Sequence, residues 1–210
     1  MKNLINGNRH TAARAASAAR RNAVVITGGA GFVGTNVADR FARLGHDVII
    51  FDNLSRAGVE RNAAWLREQH GEKVRIVVGD VRDEAAVRRV IAEASHVFHF
   101  AAQVAVTTSL VEPVEDFDVN LRGTLNVLEA IRALPSDRRP PLLFTSTNKV
   151  YGDLHGLVLE ETHDRYRPTH PGVRTNGFAE GWLDFHSPYG CSKGAADQYV
   201  LDYARSYGME

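Results

Sequence analysis

From Ala23 onward, short apolar runs alternate with amphipathic stretches along the chain. The apolar runs have the length of buried strands, whereas the stretches between them repeat their apolar residues at helical spacing. This alternation predicts an α/β fold, a doubly wound parallel sheet with helices on both faces. The predicted strands are 23–27, 47–52, 74–80, 96–100 and 142–146, and the predicted helices are 33–44, 60–70, 84–94, 114–134 and 189–207.

Two of these helices have a clear apolar face. In the first helix, one face is expected to consist of Val33, Val37, Phe41 and Leu44, and Gly45 is expected to end the helix. In the fourth helix, the expected buried stripe consists of Leu125, Leu128 and Ile131, and Gly123 is expected to allow close helix packing. Both faces are expected to lie against the sheet.

A glycine-rich turn follows the first predicted strand, where the sequence Thr-Gly-Gly-Ala-Gly-Phe-Val-Gly covers residues 27–34. Glycines at positions 28, 31 and 34 permit a sharp turn, close approach of a phosphate and close packing of the helix. The helix N-terminus offers N–H groups and a positive dipole to an anion. This Rossmann pattern predicts a dinucleotide pyrophosphate site, and the alternative is a glycine-rich turn that binds nothing.

The carboxyl ends of the other strands supply further candidate contacts, because they meet at the same sheet edge. Asp52 can accept hydrogen bonds from both adenosine ribose hydroxyls, and its charge repels a 2′-phosphate, so NAD is predicted although Arg56 would suit NADP. Asp80 can accept from the adenine amino group or cap the next helix. The predicted cofactor-binding residues are Gly28, Gly31, Phe32, Val33, Gly34, Asp52, Asn53, Asp80, Val81, Ala101, Ala102, Gln103, Tyr189 and Lys193.

Composition narrows the class of protein. The 210 residues are 44% apolar and 24% charged, as in ordinary globular domains, and 25 basic residues balance 25 acidic ones. This balance argues against a nucleic-acid or anionic-membrane surface, and no apolar run has the length of a membrane span. The single cysteine, Cys191, excludes an internal disulfide and suits a cytoplasmic protein. We expect it to pack among small residues, and the nine histidines lack metal-ligand spacing, so no metal site is predicted.

Two segments stand apart from the predicted sheet. Residues 1–22 carry basic but no acidic side chains, a composition that occurs in transit peptides and in solvated arms, and that would also result from a start codon assigned too early. We treat these residues as a disordered basic arm. Residues 152–187 are rich in Gly, Pro, His and Asp and are predicted to form an irregular substrate lid. The fold over 23–210 is expected to lack a sixth strand and a substrate domain, which leaves the fifth strand uncovered.

The last predicted helix carries a pair of residues with catalytic potential. Tyr189 and Lys193 are four residues apart and therefore lie on one helical face. A cation beside a phenol stabilises the phenolate, so Tyr189 can act as a general base toward an alcohol. The same spacing occurs by chance on many solvated helices, so this prediction depends on the glycine-rich turn as well.

Together, the glycine-rich turn and the Tyr-x-x-x-Lys spacing resemble the extended short-chain dehydrogenase/reductase family of nucleotide-sugar epimerases and dehydratases. The resemblance covers about residues 23–210 and implies that Thr147 completes the catalytic set with Tyr189 and Lys193. Dehydratases of the family carry an Asp-Glu pair where this chain has Asn148-Lys149, which argues against dehydration. One departure is Ala102, where the family pattern has glycine beside the cofactor.

Longer blocks, among them residues 51–56, 103–109, 146–154 and 183–199, are similar to a branch that epimerises a CDP-linked dideoxyhexose at carbon 2. That branch implies tightly held NAD, a 2-keto sugar intermediate and a nucleotide-sugar substrate, and we also expect a homo-oligomer. A net oxidoreductase that releases reduced cofactor remains an alternative. A non-catalytic NAD-binding remnant is the other alternative.

Overall fold

The structure is a computed structural model that describes residues 22–152, 158–169 and 183–210. The predicted basic arm therefore lies outside the described residues except for Asn22, and so do residues 153–157 and 170–182 of the predicted lid. Within the described ranges, no helix is both long and apolar enough to cross a membrane.

A five-stranded parallel sheet forms the centre of the fold, in the strand order β3-β2-β1-β4-β5. The strands are β1 Ala23–Thr27, β2 Val48–Asp52, β3 Val74–Val78, β4 Ala94–His99 and β5 Leu142–Phe144. The order reverses between β1 and β4, which opens a crevice at the carboxyl ends of these two strands. The predicted doubly wound sheet is confirmed.

Helices cover both faces of the sheet. Their bounds are α1 Phe32–Arg43, α2 Val59–His70, α3 Glu84–Ile91, α4 Val106–Val111, α5 Pro113–Phe117, α6 Gly123–Arg132 and α7 Ser187–Tyr207. Alternate side chains of β1 enter different cores, because successive residues of a strand point to opposite faces. Val24 packs with residues of α1 and α2, whereas Val25 packs with residues of α3, α6 and α7.

The first helix lies within one residue of the predicted bounds but buries a different face. Val33 is 51% and Leu44 is 56% exposed, so the predicted apolar face is wrong at both ends, while its two middle members are partly buried. The residues buried against the sheet include Gly34, Ala38 and Ala42. These small side chains let the helix axis approach the sheet closely, which leaves the larger residues at the rim of the contact.

The long helix predicted over residues 114–134 is present but not uniform. It consists of α5, a π-helical turn at Asp118–Arg122 and α6, and the short helix α4 before it was not predicted. Leu128 and Ile131 are buried as predicted, and Leu125 packs against the same core. A Cβ atom at Gly123 would lie 2.7 Å from Val81 Cγ2, which confirms the predicted close packing at this glycine.

The predicted lid is not irregular throughout. Its described part contains a short antiparallel pair of strands, β6 Leu159–Glu161 and β7 Tyr166–Pro168. Each strand has only three residues and is largely exposed, so the sequence lacks the alternation of apolar residues that predicts a strand. The lid leads into α7, which has Pro188 in its first turn, as predicted, and is followed by Gly208 at φ +61°.

Candidate active site

A cavity of about 680 Å³ lies at the carboxyl ends of the central strands. Its volume is in the range of about 300–1,000 Å³ that is usual for small-molecule sites. All residues predicted to bind the dinucleotide line it, namely Gly28, Gly31, Phe32, Val33, Gly34, Asp52, Asn53, Asp80, Val81, Ala101, Ala102, Gln103, Tyr189 and Lys193. Ala102, the departure from the family pattern, is thus part of the same wall.

The glycine-rich turn forms the part of this wall between β1 and α1. Gly28 has φ +65°, and a Cβ atom there would lie 2.6 Å from the backbone nitrogen of Ala101. The N–H of Gly31 donates to the Gly28 carbonyl (3.1 Å), and α1 begins directly afterwards. The first N–H groups of a helix have no intrahelical acceptor, so α1 offers free donors to an anion in the cavity.

The tip of the turn is clamped from both sides at Ala30. Its N–H donates to Asp52 Oδ2 (3.0 Å), and its carbonyl accepts from the Asn62 side chain on α2 (2.8 Å). The other oxygen of Asp52 accepts from the N–H of Leu54 (2.9 Å). The orientation of Asp52 is therefore fixed by backbone donors. Asn62 was not singled out by the sequence, because one amide on an amphipathic helix looks like part of its solvated face.

Asp80 lies at the rim of the cavity in a fork of hydrogen bonds. Arg82 donates to it from Nε (2.9 Å) and Nη2 (2.8 Å), and Asn53 donates from its amide (2.9 Å). These bonds, chiefly those from Arg82, hold the pKa of Asp80 well below its usual range. The capping alternative for Asp80 is wrong, because Asp83 caps α3 by accepting from the N–H of Ala86 (3.0 Å).

Tyr189 and Lys193 bring the start of α7 to the wall of the cavity. The backbone N–H of Tyr189 donates to the buried hydroxyl of Ser109 on α4 (3.2 Å), which anchors the first turn. Lys193 is 3% exposed, donates to the Thr145 carbonyl (2.6 Å) and lies 4.0 Å from the centroid of the Phe144 ring. Burial lowers the pKa of Lys193 to about 8, against the raising effect of two nearby carboxylates.

Thr147 is not among the residues that line the cavity, whereas Thr145 and Ser146 are. Thr147 instead caps the short helical turn Asn148–Val150, and its hydroxyl accepts from the N–H of Lys149 (3.3 Å). Its predicted catalytic role stays a prediction. The side chains that replace the acid–base pair of the dehydratases lie in the same turn and are exposed.

A buried histidine supports the cavity from behind β4. His99 is 1% exposed; its Nδ1 lies 2.6 Å from the Thr27 hydroxyl, and its Nε2 lies 3.0 Å from the Thr124 hydroxyl. Burial, with a smaller effect of the Lys193 charge, lowers the pKa of His99 to about 3, so the ring is neutral. The Thr27 hydroxyl also accepts from the N–H of Ala101 (3.3 Å), which ties the ring to the cavity wall.

A second polar network fixes the backbone that follows β4. The N–H of Gln103 donates to Asn120 Oδ1 (3.1 Å), and Asn120 Nδ2 donates to the Gln103 carbonyl (2.9 Å) and to Asp116 Oδ1 (2.9 Å). Burial raises the pKa of Asp116. Neither Asp116 nor Asn120 was predicted, since polar residues on a helix usually mark its solvated face; their spacing of four was the available signal.

Two further expectations concern metals and the cysteine. Among the described residues, no group of three or more His, Cys, Asp or Glu side chains is arranged to hold a metal ion. Cys191 was expected to pack among small residues, but it is exposed, whereas its neighbour Ser192 is buried. Neither observation adds a chemical group to the cavity.

Comparison with known proteins identifies relatives over nearly the whole described chain. The family model described as GDP-mannose 4,6 dehydratase matches residues 25–210. The CDP-paratose 2-epimerase of Salmonella typhi is 48% identical over 189 residues, which are 89% of this chain and 54% of that protein. A dTDP-glucose 4,6-dehydratase of Mycolicibacterium smegmatis is 34% identical over 189 residues, which are 89% of this chain and 50% of that protein.

Solved structures agree with these sequence relatives. The crystal structure of Thermus thermophilus UDP-glucose 4-epimerase in complex with NAD superposes with a TM-score of 0.67 at 32% identity. The match covers 90% of this chain and 52% of that one. The chain thus spans about half the length of the relatives that it matches.

Proposed function

Because the chain belongs to the GDP-mannose 4,6 dehydratase family, within the short-chain dehydrogenase/reductase proteins, we propose that it acts as an NAD-dependent nucleotide-sugar epimerase. One observation carries the proposal. A single cavity is lined both by the residues predicted to bind a dinucleotide and by the Tyr189–Lys193 pair. A dinucleotide and a general base for an alcohol are the two requirements of reversible carbinol oxidation.

The residues of the cavity fit NAD. The free N–H groups at the start of α1 suit a pyrophosphate, and the glycine at position 28 leaves no side chain between the turn and the wall opposite. The clamped carboxylate of Asp52 suits ribose hydroxyls and disfavours a 2′-phosphate. When bound, NAD would supply a reversible hydride acceptor, which permits a sugar carbinol to be oxidised and then reduced on its other face.

In this proposal the protein residues handle the proton and the orientation of the substrate. Tyr189 takes the hydroxyl proton and returns it, and Lys193 favours the phenolate by its positive charge. The buried position of Lys193 supports this role, since a charge acts more strongly where water is excluded. Thr147 orients the substrate hydroxyl, and its own hydroxyl still has a proton to donate beside the bond that it accepts from Lys149.

Family membership alone does not choose between epimerisation and dehydration, because relatives named for both reactions match the same region. The residues after Thr147 favour epimerisation. Elimination of water needs an acid for the leaving hydroxyl and a base for the neighbouring proton, and the amide of Asn148 and the ammonium of Lys149 do not supply this pair. We therefore propose hydride removal and return without loss of water.

For the substrate we propose a CDP-linked dideoxyhexose, epimerised at carbon 2, as in the conversion of CDP-paratose to CDP-tyvelose. The support is the 48% identity to a protein named CDP-paratose 2-epimerase. The proposed division of the chain keeps residues 23–210 as the NAD-binding domain, with the lid segment 152–187 on the substrate side.

The test combines cofactor analysis with a labelled conversion. Mass analysis of nucleotide released from the purified protein should find NAD, and CDP-paratose incubated in deuterium oxide should give the carbon-2 epimer with protium retained. Deuterium at carbon 2 would refute hydride return, and a stoichiometric rise in nicotinamide absorbance would favour the net oxidoreductase. NAD binding without any conversion would favour the non-catalytic alternative.

Tyr189→Phe tests the proposed base. The variant protein should retain NAD, because the glycine-rich turn before α1 is unchanged. Its turnover should be lower by roughly 10²–10⁴-fold, the usual contribution of acid–base catalysis. Cys191→Ala is the matched control on the exposed side of the same helix and should keep normal turnover. A Tyr189→Phe protein with near-normal turnover would remove the phenol from the mechanism.

A further inference from the structure

Asp116 is a fully buried carboxylate (0% exposed) on α5, which packs against α7. Oδ1 accepts from Asn120 (2.9 Å) and Gln103 (3.3 Å). Oδ2 is buried and has no hydrogen-bond partner; burial raises the pKa of the carboxyl, and the nearby Ser192 hydroxyl acts in the opposite direction. A buried carboxylate with an unpaired oxygen is costly unless an opposite charge compensates it.

Lys193, the residue after Ser192, supplies such a charge. It is almost as deeply buried, and the groups that touch its Nζ, the Thr145 carbonyl and the Phe144 ring, carry no formal charge. The titratable groups around it are Asp116 from α5, Asp197 and Tyr189 from α7 and the neutral His99 from β4. Two carboxylates favour its charged form, Asp197 more strongly and Asp116 less so.

We propose that Asp116 is a positioning residue whose carboxylate acts as the buried counter-charge of Lys193 and keeps that ammonium charged and in place at the cavity wall. Asp197 has the larger effect on Lys193 but is partly exposed, so water screens part of its charge, whereas Asp116 is fully buried and acts through the protein interior. The same carboxylate holds Asn120 and Gln103, so the wall behind the cofactor and the charge of Lys193 depend on one group.

Carbon-13 NMR of the protein labelled at lysine measures the charge of Lys193 directly. The chain has lysine only at positions 2, 73, 149 and 193, so four Cε signals are expected, and Lys193→Met assigns the buried one. Asp116→Asn keeps an oxygen for Asn120 but removes the charge. It should lower the titration midpoint of Lys193 by about 1 pH unit, as expected when an opposite charge is lost from the protein interior.

Glu115→Gln is the matched control. It changes net charge equally at the adjacent residue, but Glu115 is exposed and pairs with Arg82. The Lys193 midpoint should stay near that of the wild type in this variant. An unmoved midpoint in Asp116→Asn, or an equal shift in both variants, would overturn the proposal.

If Asp116→Asn does not fold, Lys193→Met tests the same pair from the other side. With the ammonium gone, the buried carboxylate is uncompensated, so this variant should lose stability at neutral pH and regain part of it as the pH falls and Asp116 takes up a proton. A deficit that does not change with pH would contradict the pairing.

The part that Asp116 plays in turnover rests on the proposed function, whereas the charge pairing does not. In a protein that turns over substrate, Asp116→Asn should also displace the pH profile of turnover. A displaced Lys193 midpoint in a protein without epimerase activity would refute the proposed function and leave the pairing intact.

Discussion

The neutral ring of His99 should make the protein sensitive to mild acid. The hydroxyl of Thr124 donates to the Asn120 carbonyl (2.6 Å), so its oxygen is free to accept from His99 Nε2–H (3.0 Å). Nδ1 is then the acceptor for the Thr27 hydroxyl (2.6 Å). Protonation of Nδ1 would remove this acceptor and place a charge in a fully buried position, so the folded state resists it.

The size of the effect follows from proton linkage. The folded pKa of His99 is about 3, against 6.5 for an ordinary histidine, so the unfolded chain binds more protons between these two values. Stability is therefore retained above the unfolded pKa and lost as the pH falls below it. Between about pH 7.5 and about pH 5 the loss due to His99 alone is about 2 kcal/mol.

The predicted loss of stability can be measured by urea unfolding at these two pH values, monitored by circular dichroism. His99→Gln keeps an acceptor and a donor but does not titrate, so its free energy of unfolding should fall by about 2 kcal/mol less than that of the wild type. His96→Gln, on the same strand but exposed, should behave as the wild type. Carboxylates such as Asp39 and Glu129 titrate in all three proteins and cancel in the comparison. Equal pH dependence of the three proteins would refute the reasoning.

Two further substitutions probe the glycine-rich turn. Gly28→Ala should lower NAD affinity about tenfold, because its Cβ atom would lie 2.6 Å from the Ala101 backbone and its φ is unfavourable for alanine. Gly45→Ala has φ +92° but open space around the Cβ atom, so its calorimetric stability gives the cost of backbone strain alone. Equal NAD affinity of Gly28→Ala and the wild type would refute the crowding. Asn62→Ala should weaken NAD binding about 3–10-fold, because the Ala30 carbonyl loses its donor; unchanged affinity in the same titration would show that Asp52 alone holds the turn.

The sheet and the cofactor side of the cavity could be predicted because their signals are local. The apolar run before Asp52 or Gly28 predicts where a strand ends, and the residue that follows it predicts which part of a ligand could bind there. Parallel topology then brings such strand ends to one edge, so residues far apart in sequence share a wall without any prediction of side-chain packing.

Signals that depend on packing were missed or misassigned. Val33 and Leu44 have helical spacing, yet small residues lie against the sheet, because periodicity is dominated by large side chains and the closest contact favours small ones. The catalytic role of Thr147 was assigned by resemblance and stays a prediction, whereas the cap that its hydroxyl forms was missed because no spacing reveals it. His99 and Asp116 are polar and buried, a state that depends on partners from other elements.

The π turn explains how the second network is possible. Asp116, Asn120 and Thr124 are spaced by four, and all three are buried. In a regular α-helix each step of four residues advances about 40° around the axis, so such a row would drift away from the cavity. The wider turn at Asp118–Arg122 offsets this drift, which keeps Asp116 and Asn120 toward Gln103 and Thr124 toward His99. This helical irregularity therefore lets one helical segment support both the cavity wall at Gln103 and the buried imidazole of His99.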